Sequence, residues 1–222
     1  MSEEERIKKE LNRKKIKITG IHYFAKGKRG IVYAGFLKRN NKRIKIVIKI
    51  KNPKSETIAR IENEAKWLKN LNKFRIGPKL YGSGSDFIVM EFVDGTFIGA
   101  FLERENKKNI IEAVKKIFLQ LYKLDKLKVD KEEMHHPVKH IIIDKKNNPV
   151  LIDFERARIT YKPKNVTQFC QYITSSFAAD ILKRKGIELS KEKIIQLATN
   201  YKRKIIKKNL SRIINYVSAP DD

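Results

Sequence analysis

The stretch Arg43–Lys51, RIKIVIKIK, constrains this chain more than any other. Ile44, Ile46, Ile48 and Ile50 alternate with Lys45, Val47, Lys49 and Lys51. A period of two places the isoleucines on one face of a β-strand and the lysines on the other. Ile16–Ala25 and Ile31–Arg39, which precede it, are rich in β-branched and aromatic residues. Turn signals at Lys26–Gly30 and Asn40–Lys42 separate the three runs, which therefore read as an antiparallel meander.

After Pro53 the period changes. Ile58, Ile61, Ala65, Leu68 and Leu71 give Ser55–Asn72 one apolar helical face, and Gly77-Pro78 ends that region. Leu80–Gly82 and Phe87–Phe92 read as two further strands. The first part is thus a five-stranded antiparallel sheet with one helix inserted after strand three. Residues 3–15 form a short charged surface helix ahead of it. Beyond Val93-Asp94-Gly95, helices are expected over Phe97–Glu103 and Asn109–Leu127. Two short strands, Ile141–Ile143 and Val150–Ile152, follow, and then basic helices over Asn165–Lys185 and Ser190–Val217. The class is α+β, with a first lobe over residues 1–92 and a small, mostly helical second lobe over 93–222.

With 222 residues, 41% of them hydrophobic, the chain is long and apolar enough to bury a core, which excludes a disordered class. Its net charge of +26 attracts polyanions such as RNA; the plainer alternative is a lysine-rich surface with no such partner. The single cysteine, Cys170, permits no intramolecular disulfide. No apolar run approaches the roughly 20 residues of a membrane span, and the N-terminus has no apolar signal core. A cytoplasmic protein with no membrane partner is expected.

Four motifs carry chemistry. Ala25–Val32, AKGKRGIV, fits G-x-G-x-x-G-x-V with its first glycine replaced. Gly27 and Gly30 would let a hairpin backbone approach phosphate oxygens, with Val32 over a nucleotide base; taken alone, such a loop is also an ordinary basic turn. Ile46-Val47-Ile48-Lys49 resembles V-A-I-K and offers phosphates a fixed positive charge. Glu64, on the inserted helix, is the partner expected for Lys49, and Glu62 is its rival. Met90–Gly95, MEFVDG, resembles a linker whose backbone at Glu91 and Val93 meets an adenine edge. Leu151-Ile152-Asp153-Phe154 ends a strand with a carboxylate suited to a divalent metal or, alternatively, to a helix N-cap.

In this order the motifs resemble the protein-kinase-like superfamily over about residues 20–160. The similarity is to small atypical archaeal kinases, in the neighbourhood of RIO kinases, the small kinase of the KEOPS complex and a predicted archaeal Ser/Thr kinase group with a Pro-x-Lys-His loop. The resemblance implies a two-lobed kinase-like fold and transfer of the γ-phosphoryl group of ATP to a serine or threonine hydroxyl of an unidentified protein. Gly27, Gly30, Val32, Lys49, Glu91 and Val93 would bind the nucleotide, Glu64 would orient Lys49, and Asp153 would hold Mg²⁺ or Mn²⁺.

Three departures qualify it. Ala25 replaces a glycine, Glu155 stands where a glycine follows Asp-Phe, and the catalytic loop is rewritten as Lys131–Asp144, KEEMHHPVKHIIID. That loop lacks the usual Asp base and Asn ligand. Lys131–Met134 stands in for His-Arg-Asp-Leu, which makes Glu133 the candidate base and His135 its competitor. His140, thirteen residues before Asp153, takes the place of the Asn; an imidazole there favours Mn²⁺ over Mg²⁺. The alternative is a catalytically impaired scaffold that binds nucleotide or RNA. A third reading is a small-molecule or RNA-directed phosphotransferase on the same fold, in which the basic run Tyr201–Lys204 with Lys207 and Lys208 grips the anionic substrate; the plainer reading of those lysines is a solvated helix face.

Overall fold

A computed structural model of the protein describes residues 3–13, 16–27, 30–51 and 59–219. The tip of the glycine turn, Lys28 and Arg29, lies outside them. So do Lys14 and Lys15 at the end of the expected first helix, and Ser55–Ile58 at the start of the expected second one. The chain separates into two compact units. One is Met1–Val93 with Asp153–Arg156, and the other is Asp94–Ile152 with Ala157–Asp222.

The first unit begins with helix α1 (Glu3–Arg13) and continues as strands β1 (Ile18–Lys26), β2 (Gly30–Arg39) and β3 (Lys42–Lys51). Helix α2 (Ala59–Leu71) and strands β4 (Leu80–Ser83) and β5 (Phe87–Glu91) complete it. The five strands are antiparallel neighbours in the order β1-β2-β3-β5-β4. Asn40 and Asn41 turn the β2–β3 hairpin with φ of 48° and 55°, the left-handed pair that a two-residue hairpin needs. Ile46, Ile48 and Ile50 are wholly buried against Leu11, Tyr33, Leu37, Phe87 and Val89. Each isoleucine so buried contributes roughly 1.5–3 kcal/mol. This burial fixes the register, because a slip of one residue would drive the lysines into the core.

The second unit carries β6 (Gly95–Phe97), α3 (Ile98–Arg104), α4 (Lys107–Lys126) and β7 (Val129–Asp130). β8 (Ile141–Asp144), β9 (Pro149–Leu151) and β10 (Arg158–Ile159) follow. Helices α5 (Asn165–Ile173), α6 (Ser176–Arg184), α7 (Lys191–Arg203) and α8 (Lys207–Val217) end it. β6, β8 and β9 form one small sheet, and β7 and β10 pair as another. Gly95 is required where β6 meets β8, since a Cβ there would fall 2.2 Å from the Ile143 carbonyl oxygen.

Two expectations change. The C-terminal helices are four, not two. Asn106, Ser175 and Ser190 cap the starts of α4, α6 and α7 with side-chain oxygens. Asp153–Arg156, expected with the second lobe, groups with the first unit because its backbone and side chains bond to α2 and β3. No helix among the described residues is long and apolar enough to cross a membrane.

Candidate functional site

The lysine face of β3 builds the first half of the site. Lys49 is directly opposite Val32 on β2 and Ile88 on β5, so these three side chains share one face of the sheet. Lys49 Nζ donates to Glu64 Oε2 at 2.7 Å, Asp153 Oδ1 at 3.0 Å and Glu155 Oε2 at 3.4 Å. Glu64, 1% exposed, is the helix partner rather than the solvent-facing Glu62. Its other oxygen, Oε1, accepts from the Phe154 N–H at 3.3 Å. Asn63, one residue earlier on α2, donates from Nδ2 to the Glu155 carbonyl at 2.9 Å. One helical turn therefore holds the Asp153–Glu155 segment by two bonds. Asp153 itself has φ +63°, a left-handed conformation that costs a non-glycine residue about 1 kcal/mol or more.

Burial works against a charge on Lys49, but Glu64 and Asp153 outweigh it and hold the ammonium well above the ordinary lysine range. Burial likewise pushes Glu64 upward, Lys49 pulls it back, and the Asp153 carboxylate pushes it up again. With the two charges 2.7 Å apart, the ion pair persists.

The glycine turn closes where the Gly27 N–H donates to the Gly30 carbonyl at 2.9 Å. A Cβ on Gly30 would come 3.0 Å from the Ile50 carbonyl, so the close strand approach there favours glycine. At the end of β5, the Glu91 N–H donates to the Lys79 carbonyl and the Phe92 N–H to the Lys45 carbonyl. A ligand meeting this segment has to use its carbonyls or Val93 instead.

The second unit holds the rewritten loop. Glu132 and Glu133 both take left-handed φ, 64° and 59°. Two consecutive strained residues persist only when their surroundings determine them. Here the Lys131 N–H donates to Asn165 Oδ1 at 2.9 Å, Glu132 N–H to Asp130 Oδ1 at 3.2 Å and Met134 N–H to Gln168 Oε1 at 3.2 Å. Met134 and Lys131 are buried, the latter with only 2% exposure, while His135 and His136 are exposed with ring centroids 4.6 Å apart. His140 Nε2 lies 3.2 Å from Glu133 Oε2. The structure thus joins Lys49, Glu64 and Asp153 in one unit, and Glu133 and His140 in the other.

Sequence reasoning missed the residues that support the loop. Asn165 Nδ2 donates to Asp125 Oδ1 at 2.7 Å and to the Val129 carbonyl at 2.6 Å, and Tyr201 Oη donates to Asp125 Oδ2 at 2.9 Å. Tyr201 is therefore a buried structural residue and not part of an exposed basic grip. Burial pushes Asp125 up to about 6, although Asn165 and Tyr201 bond to it. Glu155 was likewise seen only as a missing glycine, yet it joins the lysine cluster.

Oxygens of Glu64, Asp153 and Glu155 lie within 4.8 Å of one another. Three carboxylate oxygens at that spacing are hard donors that fit a divalent Mg²⁺ or Mn²⁺. A comparison with curated proteins finds no match. A family model described as protein tyrosine and serine/threonine kinase matches residues 18–199.

Proposed function

The chain belongs to the protein tyrosine and serine/threonine kinase family, and from that premise we propose that it is an atypical, ATP-dependent serine/threonine kinase with a glutamate as its base. The observation that carries this reading is the Lys49 ammonium held between Glu64 at 2.7 Å and Asp153 at 3.0 Å. An ion pair so placed fixes a positive charge beside Val32 on the same face of the sheet, where phosphates need one.

In this mechanism Gly27, Gly30 and Val32 cover the nucleotide, and the carbonyl at Glu91 with the peptide of Val93 meets adenine. Lys49 steadies the α- and β-phosphates. Asp153 would hold a divalent metal ion, and the neighbouring carboxylates of Glu155 and Glu64 could join it, since oxygens of the three lie within 4.8 Å of one another. A bound Mg²⁺ or Mn²⁺ supplies charge neutralisation at the phosphate oxygens. The acceptor hydroxyl oxygen attacks the γ-phosphorus, the bond to the bridging oxygen breaks, and ADP leaves. Glu133 takes the hydroxyl proton. His140, 3.2 Å from Glu133, has two tasks open to it: a metal ligand, as its loop position implies, or an orienter of the base. His140→Ala separates them. If His140 is a ligand, Mn²⁺ should support activity at least as well as Mg²⁺, and equal Mg²⁺-supported turnover in wild type and His140→Ala counts against that role.

The loss of Asp from the base position and Asn from the ligand position of the loop favours a second reading, a scaffold that binds nucleotide or RNA without transfer. Incubation with γ-labelled ATP, in Mg²⁺ and in Mn²⁺, decides between them. Wild type should label a hydroxyl acceptor, and Lys49→Ala and Asp153→Ala should each lower the rate by about 10²–10³, the usual loss when one transition-state contact is removed. ATP binding with no labelled product would establish the scaffold. A gel shift with RNA whose affinity falls steeply with salt would support its polyanion partner.

A further inference from the structure

Helices α5 and α7 enclose an open groove of about 490 Å³ that the mechanism above does not use. Its walls include Lys164, Gln168, Ile195, Thr199 and Lys202, and His135 from the rewritten loop. None of its lining residues is an aspartate or glutamate, and Lys164 and Lys202 are both exposed. The groove lining therefore presents lysine charge and no carboxylate of its own.

Gln168 ties the groove to the loop. Its side-chain Oε1 accepts from the Met134 N–H at 3.2 Å. The next residue, His135, stands in the groove wall, and Glu133 is two residues back. Two residues of chain span at most about 7 Å, so a molecule lying in the groove past His135 reaches the neighbourhood of the candidate base.

The hydrogen-bonding character of the walls selects the class of molecule. The hydroxyl protons of Thr167, Thr174 and Thr199 are spent on the carbonyls of Lys164, Cys170 and Ile195. These threonines offer lone pairs and methyl groups to the groove, not donors. Lone pairs suit the backbone N–H groups of a polypeptide, while Lys164, Lys202 and the Gln171 amide supply donors for acidic side chains. The lining also has no Phe, Tyr or Trp on which a nucleobase could stack. Ile194, Ile195 and Ala198 add an apolar strip.

We propose that this groove seats the acceptor as a polypeptide segment whose hydroxyl residue is flanked by aspartates or glutamates, with Lys164 and Lys202 as the residues that select them. The proposal rests on the kinase reading only for the word acceptor; the binding itself does not require turnover. A fluorescein-labelled peptide carrying one serine among glutamates, followed by anisotropy without ATP, tests it. The acidic peptide should bind at least about tenfold more tightly than its glutamine counterpart, and the double variant Lys164→Glu/Lys202→Glu should remove that preference, each exposed pair accounting for up to about fivefold. Nucleotide binding, measured separately with a fluorescent ATP analogue, should be the same in wild type and variant. In turnover the variant should raise KM for the acidic peptide and leave kcat unchanged. Equal binding of acidic and neutral peptides, or indifference to the charge reversals, would overturn the proposal. An oligonucleotide that displaces the peptide and depends on the same lysines would also overturn it, in favour of a nucleic-acid occupant. Peptide binding with no phosphoryl transfer would instead sink the kinase reading and leave the groove standing.

Discussion

The two units each contain a buried polar cluster, and the clusters are built on opposite principles. Around Lys49, three carboxylates converge on one ammonium at 2.7, 3.0 and 3.4 Å. Around Asp125, one carboxylate is met by neutral donors: Asn165 Nδ2 at 2.7 Å, the Asn165 N–H at 3.2 Å, Tyr201 Oη at 2.9 Å and the Val166 N–H at 3.4 Å. The first arrangement crowds like charges that would repel without a cation, which suits a place where ions are exchanged. The second satisfies the first amides of α5 with an anion at a helix N-terminus, which suits a place that must not move. Both lie close to strained backbone, at Asp153 in one unit and at Glu132–Glu133 in the other. One unit gathers charged groups around an ammonium, and the other holds its loop with neutral hydrogen bonds.

The largest expected effect that separates them is on folding. Asp125→Ala should destabilise the protein by about 3–4 kcal/mol, because it orphans several buried donors at once. Urea denaturation measures it, and a loss below about 1 kcal/mol would show that Asp125 is not the structural centre of its unit.

Next in size is a pH effect confined to the same cluster. Asp125 is raised from 3.8 to about 6, so between those values the folded state binds more protons than the unfolded one. Stability then falls as pH rises from about 4 to about 6 and is level above, by on the order of 2–3 kcal/mol. The Asp125→Asn variant should lose this slope. A wild-type midpoint that rises across the same window would contradict the buried, neutral-donor picture.

The smallest pair sharpens the contrast directly. Tyr201→Phe removes one hydrogen bond from the Asp125 cluster and should cost about 1 kcal/mol. Glu155→Gln removes the longest contact to Lys49 together with a like charge, so its effect on thermal stability should be within about 0.5 kcal/mol. Equal losses from the two would erase the distinction between the clusters.

The sheet was legible because a two-residue period and a buried face leave only one register for β3. The pair Lys49–Glu64 was legible because strand and helix each announce themselves locally. What escaped the sequence was coupling between distant segments. Asp125 on α4, Asn165 on α5 and Tyr201 on α7 meet only in the folded unit, and Tyr201 among lysines looked like a surface residue. The helix breaks at Thr174–Ser175 and Lys204–Ile206 carry no Gly or Pro. They are made by side chains instead: Thr174 and Ser175 bond back to the Cys170 and Tyr172 carbonyls, and Asn209 Nδ2 bonds to the Asn200 and Lys204 carbonyls. The missing signals were thus hydroxyls and amides competing with the helix ladder. Glu155 escaped because a departure from a glycine pattern reads as a loss, whereas its carboxylate is an added group.

The chain's one thiol gives the second unit a built-in reporter. Cys170 sits on α5 in the wall of the groove, yet it is only 2% exposed, and burial with the nearby Asp125 charge pushes its pKa up to about 12. A thiol reagent at neutral pH therefore reacts only when α5 opens away from its neighbours, since the thiolate is the reactive form. Its labelling rate becomes a clock for local opening of the helices that hold the loop, readable in the unaltered protein and without any engineered probe.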